Sequence, residues 1–161
     1  MSSHQDFFVK IQGIQGESKD AKHRGWIDVL SWAYGVSQSA STEVGGGGGV
    51  GRAHFSALTF IHEVDRSSPN LMQYCAAGKH IDIVELVCCK AGDGPQEYIH
   101  LYLEDCLITR VTPFGKPDSA RVLEGVAISF AKIRIETREQ RANGSMTAAI
   151  TGTWDIKRNV A

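Results

Sequence analysis

The amino-acid sequence predicts a mainly β protein, an all-β sandwich or barrel with one short helix packed alongside. Three observations support this prediction. Most segments alternate apolar and polar residues, only one stretch carries helix signals, and glycine-rich turns separate the segments. Several short strands joined by turns are typical of sandwiches and barrels.

The strand pattern is found in about seven segments, as expected for such a fold. In the first segment, Phe7, Val9 and Ile11 fall on one face, because successive side chains of a strand point to opposite sides. The fifth has the clearest alternation, with Ile99, Leu101 and Leu103 inward and His100, Tyr102 and Glu104 outward. The segments are DFFVKIQGI (6–14), IDVLSWAYGVS (27–37), AHFSALTFIHEV (53–64), HIDIVELVCCKA (80–91), QEYIHLYLEDCLITRVT (96–112), VAISFAKIRIETRE (126–139) and AAITGTWDIK (148–157).

One segment shifts its alternation by a residue. Val126, Ile128 and Phe130 lie on one face, and the pattern resumes at Ile133. We expect a β-bulge at residues 131–132, because a bulge inserts one extra residue into a strand. The NGS sequence at 143–145 predicts the turn that precedes the last strand.

The single helix is predicted in SSPNLMQYCAAG (67–78). Ser68 is expected as N-cap, Pro69 as the first helical residue and Gly78 as the stop. Leu71, Met72 and Cys75 are expected to form its buried stripe.

Length and charge exclude several classes of protein. The chain has 161 residues, near the usual size of one domain, and we expect a single domain over 1–161. A formal net charge of −1 gives no reason to expect nucleic acid as a partner. No apolar run approaches the roughly 20 residues of a membrane span, so membrane insertion is not expected. The start, MSSHQDFF, lacks the features of a secretory signal.

The cysteines indicate reduced, mostly buried thiols. Cys75, Cys88, Cys89 and Cys106 form no C-x-x-C pair, and neighbouring Cys88 and Cys89 would point to opposite faces of a strand. A cytoplasmic protein is the plain interpretation, although a disulfide between distant cysteines stays open.

The most unusual segment is EVGGGGGVGR at 43–52, within a glycine-rich loop predicted at 40–52. A phosphate-binding loop would need lysine and a hydroxyl residue where Arg52 and Ala53 stand. Residues 1–44 are too few for a domain of their own. The run therefore interrupts one domain and does not join two.

Enzyme signatures lack their structural context. Ser129 and Lys132 spell S-x-x-K, but this motif works on a helix, and here it lies in an alternating strand. His62, Glu63 and Asp65 are metal-ligand types, yet His62 should face away from the two carboxylates. The sequence predicts no catalytic residue, cofactor or metal ligand.

Several stretches together resemble one known family. These are KIQGIQGESKDAKH (10–23), IDVLSWAYGVSQS (27–39), GGGGGVG (45–51), SPNLMQYCAAGKHI (68–81), CKAGDGPQEYIHLYLEDCLIT (89–109), ISFAKIRIE (128–136) and GTWDIKRN (152–159). In this order they are similar to the haemolysin-coregulated protein (Hcp) family, whose members are inner-tube subunits of bacterial type VI secretion.

The resemblance implies a fold and an assembly. The fold would be a small, Hcp-like and phage tail-tube-like β-barrel of about seven or more strands, with one short flanking α-helix at about 69–77. Barrels would close into hexameric rings, and rings would stack into a tube that carries effector proteins in its lumen. Sheath and tip-spike proteins of the secretion machine would be further partners.

The resemblance also implies where the protein acts. It would be made in the bacterial cytoplasm and then secreted without a cleaved signal peptide. It would serve virulence or bacterial competition. The sequence ends just past WDIKRN, so we expect no C-terminal effector extension.

Candidate site residues follow from this resemblance. A strand near Trp32 would line the lumen, and Ser31 and Ala33, which alternate with Trp32 and Tyr34, are the candidates for effector binding. The two aromatic residues are expected to pack in the core. The candidate ring-stacking loop consists of Glu43, Val44, Gly45, Gly46, Gly47, Gly48, Gly49, Val50 and Gly51.

Two questions stay open at this level. The loop could be a surface loop without a partner. The charged stretch GESKDAKHR (16–24) could be solvated or could contact other subunits.

Two other functions are alternatives to the tube subunit. The chain could be mainly an effector-binding export chaperone in which stable tubes are secondary. It could also be a small hydrolase, which would need a pocket holding a histidine beside a serine or cysteine.

Overall fold

The computed structural model describes residues 5–39, 51–90 and 96–161. These residues form ten strands and one helix. The elements are β1 (Gln5–Ile11), β2 (Ile27–Val29), β3 (Ser31–Ala33), β4 (Val36–Ser37), β5 (His54–Phe55), β6 (Leu58–Glu63), α1 (Ser68–Ala77), β7 (His80–Lys90), β8 (Gln96–Phe114), β9 (Leu123–Thr137) and β10 (Ile150–Asp155).

The main sheet is antiparallel and nearly closes into a barrel. Its strand order is β2-β1-β7-β8-β9-β6-β3, with β10 also paired to β9, while β4 and β5 form a separate pair. At Leu30 the chain passes from β2, the partner of β1, to β3, the partner of β6. The Leu30 N–H donates to the Ile61 carbonyl at 2.8 Å, which joins the two ends of the sheet. The prediction of a mainly β barrel with one helix is confirmed.

The barrel interior is apolar and continuous. It includes Leu58, Leu86, Leu101, Leu103 and Ile128, all at most 1% exposed. On β1, Val9 and Ile11 belong to this core, and Phe7 packs against it as predicted. Alternation in antiparallel strands therefore located the interior correctly.

The predicted strand at 27–37 is wrong as a single element. Val29 pairs with Phe7 of β1, whereas Ser31 pairs with Ile61 of β6. One straight strand cannot hold both partners, so the segment divides into β2, β3 and β4. The predicted strand at 53–64 divides for a similar reason, because β5 pairs with β4 and β6 pairs with β9.

The predicted bulge at residues 131–132 is also wrong, although the change of face is present. Both Phe130 and Ala131 are buried, and burial then continues at Ile133. Pairing of β9 with β8 keeps one register through this region, and the register shift lies between Ile108 and Arg110. In the neighbouring strand β8, the alternation of buried and exposed side chains shifts at Asp105, which has φ of 56° and lies between the pairs Glu104–Lys132 and Cys106–Phe130. Because both strands shift their alternation at the same place, their pairing is preserved.

Most of the prediction for the helix is confirmed. It starts at Ser68, and Gly78 ends it in the left-handed conformation with φ of 60°. The N-cap is Ser67 and not Ser68, and its side chain makes no capping hydrogen bond. Leu71 is fully buried, but Met72 is 55% exposed, so Met72 does not belong to the buried stripe.

The cysteines and the NGS turn agree with their predictions. All four cysteines are free, and Cys88 and Cys89 lie in different apolar clusters on opposite faces of β7. The NGS sequence forms a turn in which Gly144 has φ of 86° and the Asn143 carboxamide accepts the Ser145 N–H. No helix within the described ranges is long and apolar enough to cross a membrane.

Candidate functional site

A shallow groove lies on the face of the sheet opposite the barrel interior. It runs across β3, β6, β9 and the end of β8 and has a volume of about 380 Å³. Ser31 and Ala33, the two lumen candidates, line it, and both are exposed. We call this surface the small-residue groove. Its lining residues on this face are Ser31, Ala33, Thr59, Ile61, Arg110, Thr112, Phe114, Gly125 and Ala127.

Strand register explains why these residues meet. Ala33 pairs with Thr59, Thr59 with Ala127, and Ala127 with Arg110, which makes one row across four strands. Directly paired residues of neighbouring strands share a face. Three of the four side chains in this row are short, and the row ends at the longer Arg110, which leaves a shallow floor.

A second row runs parallel to the first. Ser31 pairs with Ile61, Ile61 with Gly125, and Gly125 with Thr112. Gly125 has no side chain, so the floor is lowest near the middle of this row. Together, the two rows give a flat surface that another protein can approach closely.

The aromatic residues between the candidates point the other way. Trp32 and Tyr34 are half-buried and pack against the core cluster, as expected. Their rings are stacked with centroids 6.4 Å apart, and Phe7 meets Trp32 edge-on at 6.4 Å. This packing fixes β3 and leaves Ser31 and Ala33 on the open side.

Sequence reasoning missed two larger residues of the groove. Phe114 is 45% exposed, and the Arg110 Nε–H donates to the Thr112 hydroxyl at 3.2 Å. Arg110 makes no ion pair within the described residues. A signal was present, because Arg110 and Thr112 alternate with apolar residues near the end of a predicted strand.

Most of the candidate stacking loop lies outside the described residues, namely Glu43 to Val50. The last residue, Gly51, is described, and its N–H donates to the Ser39 carbonyl at 3.4 Å. A Cβ on Gly51 would come within 2.1 Å of the Ser39 hydroxyl. The described residues on either side of this loop, Ser39 and Gly51, therefore lie side by side.

The next residue joins the loop base to the C-terminal turn. The Arg52 guanidinium donates to the carbonyls of Ile156 and Lys157, at 2.6 and 3.1 Å. Lys157 in turn pairs with Asp105 at the position where β8 changes face.

The suspected catalytic motifs do not form catalytic groups. Ser129 donates to the Leu107 carbonyl at 3.4 Å, while the exposed Lys132 lies 3.9 Å from Asp155. These two side chains have different partners, as the strand pattern predicted.

His62 is buried and pairs with a residue that sequence reasoning missed. Its Nε2 lies 2.8 Å from a carboxylate oxygen of Glu124, which is 3% exposed. The prediction that His62 faces away from Asp65 is wrong, since its Nδ1 lies 4.0 Å from that carboxylate. The segment turns after β6 and brings Asp65 back. Even so, no three such ligand types within the described residues are placed to hold a metal ion.

The fold and the groove define a class of protein: a small antiparallel β-barrel with a wall open to another molecule. The family model described as "Type VI secretion system effector, Hcp" matches residues 8–136. The chain therefore belongs to the Hcp family of the type VI secretion system, and the resemblance seen in the sequence is confirmed.

Individual relatives agree over nearly the whole chain. The protein hcp1 of Pseudomonas aeruginosa is 39% identical over 157 residues, which cover 96% of this chain and 97% of the relative. The crystal structure of Hcp1 from Salmonella typhimurium is 39% identical, with a TM-score of 0.81 and 97% of each chain covered. A structure of a type six secretion system protein is 26% identical with a TM-score of 0.90, covering 97% of this chain and 98% of the other.

Proposed function

We propose that this chain is a structural subunit of the type VI secretion tube, which assembles into hexameric rings that stack and carry effector proteins in the lumen. Membership of the Hcp family supports the tube role. The small-residue groove is the observation that supports a cargo-binding wall. We further propose that the protein acts without catalysis, in contact with sheath and tip-spike proteins.

The groove has the properties that a cargo wall needs. Ser31, Ala33 and Ala127 let the surface of a folded protein approach the sheet. Phe114 and Arg110 at its edge are residue types that often anchor protein interfaces. In a hexameric ring, copies of this surface would present small side chains and guanidinium groups around the lumen.

The glycine-rich loop is proposed as the ring-stacking arm. Its base is held on one side by the Gly51–Ser39 hydrogen bond and on the other by Arg52 against the C-terminal turn. Glycines allow close backbone approach and positive φ angles. We propose that this loop contacts the next ring of the stack.

A catalytic role is not supported by the cavities of the described residues. The groove contains Ser31 but no histidine. A smaller cavity contains His100 beside tyrosines and carboxylates, with no serine or cysteine. A hydrolase would need these groups together.

The first test is the solution mass by light scattering on a sizing column. A mass near six times 17.5 kDa is expected, followed by a central hole in electron micrographs. A monomer that persists at high concentration would contradict self-assembly of rings.

The cargo wall is tested separately with co-purified effector. Ala33→Gln should leave the ring intact and reduce effector retention, because the longer side chain fills the groove. Ala148→Gln, the same change at an exposed alanine outside the groove, is the matched control. Equal retention by both variants would reject the assignment of this wall.

The export-chaperone alternative is distinguished by shortening Gly45–Gly49. Loss of tubes with normal effector retention and normal secretion of the effector would favour the chaperone. Loss of tubes together with loss of effector secretion would support the tube.

A further inference from the structure

Five side chains form an alternating series of carboxylates and histidines on the outer face of the barrel. We call it the acid–histidine ladder: Asp20, His23, Glu97, His100 and Glu85. His23 Nδ1 lies 2.7 Å from an Asp20 oxygen, and its Nε2 lies 2.7 Å from a Glu97 oxygen. His100 Nδ1 lies 3.5 Å from the other Glu97 oxygen, and its Nε2 lies 3.2 Å from Glu85.

Strand register places the β-strand members of the ladder together. Glu97 pairs with Cys89, and His100 pairs with Val87 one level further along. Glu85 pairs with Tyr102 at the next level. Paired residues share a face, so these groups lie together on the outer side of β7 and β8.

The other two members come from the loop between β1 and β2. This loop crosses the outer face and is held by Gly16 N–H to Gly25 carbonyl and Ser18 N–H to Trp26 carbonyl hydrogen bonds, at 2.8 and 2.9 Å. Ser18 and His23 are buried, at 3% and 1% exposed, so GESKDAKHR is not simply a solvated loop.

The loop covers a second apolar cluster. Phe8, Val87 and Cys89 are at most 5% exposed, and Trp26 packs against them. The His23 ring stacks on Phe8 at 4.5 Å and meets Trp26 edge-on at 4.9 Å. The ladder and this cluster therefore hold the same loop.

The number of hydrogen bonds that the His23 ring can donate depends on whether one or both of its nitrogens are protonated. A carboxylate only accepts hydrogen bonds, and a neutral imidazole has one N–H. Two carboxylates at 2.7 Å are therefore both satisfied only by the doubly protonated ring. Loss of one proton leaves a nitrogen lone pair facing a carboxylate oxygen.

The surroundings of His100 favour its protonated form. Burial alone would lower the pKa of His100, but the hydrogen bonds that its ring donates to Glu85 and Glu97 outweigh burial and raise the pKa. Hydrogen bonds to His100 and His23 lower the pKa of Glu97 to about 2, against the opposing effect of burial.

Other charged and titratable groups face the ladder from the elements packed against it. His100 stacks on Tyr102 with ring centroids 3.8 Å apart, and the Arg134 guanidinium lies over the Tyr102 ring at 3.9 Å. The hydrogen bond from His100 lowers the pKa of Glu85, and so does the charge of the Lys10 ammonium, which lies 5.8 Å from the Trp26 ring. Further groups near the ladder are Asp6, Lys22, Asp28, Cys89, Tyr98, Glu136 and Arg138.

We propose that the acid–histidine ladder is a protonation-controlled clasp, which holds residues 16–26 over the outer face of β1 and β7. It is closed when each histidine ring carries two N–H groups, because each ring then donates to two carboxylates. A ring with a single N–H leaves one carboxylate without a donor, and the loop lifts and exposes the cluster of Phe8, Val87, Cys89 and Trp26. No covalent bond changes, and the inference does not depend on the proposed tube function.

Cys89 provides a direct probe of the open state. It is 1% exposed, and burial together with Glu97 and Asp20 raises the pKa of its thiol to about 12. A thiol reagent therefore reaches it only after the loop lifts. Cys75 is half-buried in α1, away from the ladder, and serves as the internal reference.

The experiment is labelling of the intact protein with a disulfide reagent, with peptide sequencing by mass spectrometry to separate Cys89 from Cys88. The ratio of the Cys89 rate to the Cys75 rate removes the reagent's own pH dependence. We expect this ratio to rise about tenfold from pH 6 to pH 9, the factor for loss of one charge-assisted hydrogen bond. A flat ratio in the wild-type protein would overturn the clasp.

Glu97→Gln tests the ladder itself. The neutral amide removes the charge that holds a protonated imidazole, so the ratio should be raised at pH 6. The amide can also donate to a neutral imidazole, so the ratio should lose most of its pH dependence. Glu63→Gln removes an exposed carboxylate from β6, in another part of the barrel wall, and should behave as wild type. A wild-type pH profile in Glu97→Gln would contradict the proposal. If Glu97→Gln does not fold, Asp20→Asn is tested by the same criterion.

Discussion

The outer face of the barrel wall is covered by a loop in one part and open to solvent in another. At β1 and β7 the chain covers its own wall, and Phe8, Val87 and Cys89 are buried beneath the loop that carries His23. At β3, β6 and β9 the corresponding face is open, and Ser31, Ala33 and Thr59 are exposed. The interior is apolar behind both parts.

The difference indicates how the wall is used. The covered part carries apolar residues on both faces, and such a strand must be shielded from water on both sides. The open part carries small residues, which need no cover and leave space for another molecule. Covering therefore serves the stability of the monomer, while the open part is the surface that we propose for assembly or cargo.

The largest expected effect concerns the interior shared by both parts. Leu101→Ala should lower the free energy of unfolding by about 2–5 kcal/mol, because a fully buried side chain is replaced by a cavity. Urea unfolding at fixed protein concentration measures this. Ile150→Ala, at a side chain that is 77% exposed, should change stability by less than about 0.5 kcal/mol. Similar losses in both variants would mean that Leu101 is not in the core.

The next effect concerns the covered part. A Cβ on Gly16 would lie 2.5 Å from the Trp26 carbonyl oxygen and 2.8 Å from the Ile27 Cα. Gly16→Ala should therefore displace the loop and cost about 1–3 kcal/mol, as overpacking does. In Gly152→Ala the nearest atom is 3.7 Å away, and little loss is expected. Equal melting temperatures for the two variants would show that the loop is not held tightly.

A smaller effect concerns pH. The raised pKa of His100 adds stability that is complete below its unfolded value of about 6.5 and is lost as pH rises through the folded value. The Glu97 contribution is complete above its unfolded value near 4.5 and is lost as pH falls toward a folded pKa of about 2.

Both contributions are therefore complete between about pH 4.5 and 6.5. In this window the wild-type protein should exceed Glu97→Gln in stability by on the order of 1 kcal/mol, since the pairs are partly exposed. Thermal unfolding across pH measures the difference, with Glu63→Gln on β6 as the control. A difference that grows steadily above pH 8 would contradict this assignment of signs.

The smallest effect is expected in the open part. Ala127→Gln should change the unfolding free energy by less than about 0.5 kcal/mol, because Ala127 lines the open small-residue groove, which has room for a longer side chain. The melting temperature of the purified protein measures this. A large loss would show that this face is already packed against something in the folded protein.

Much of the fold could be predicted from local patterns. Alternation located β1, β7, β8 and β9, and Pro69 with Gly78 located the helix. Ser31 and Ala33 were correctly expected on the side opposite Trp32 and Tyr34. The lumen role of Ser31 and Ala33 and the stacking role of residues 43–51 stay proposals.

Features that depend on partners could not be predicted in the same way. Residues 27–37 look like one strand, but the chain changes its pairing partner at Leu30. Phe7 and Phe8, and Val87 with Cys88 and Cys89, are consecutive apolar residues, which was a usable sign that both faces are buried. The covering loop itself looked polar and solvated.

The sequence by itself determined the β class, the alternating faces and the single helix, because side-chain direction in a strand or helix is a local property with a fixed period. Only the tertiary structure decided which strands are neighbours, where the barrel closes and which outer face is covered. His23 and Glu97 are 74 residues apart, and they meet because β1, which leads into the loop of His23, and β8, which carries Glu97, both pair in register with β7. Such register follows from the packing of the whole barrel, and no single segment encodes it.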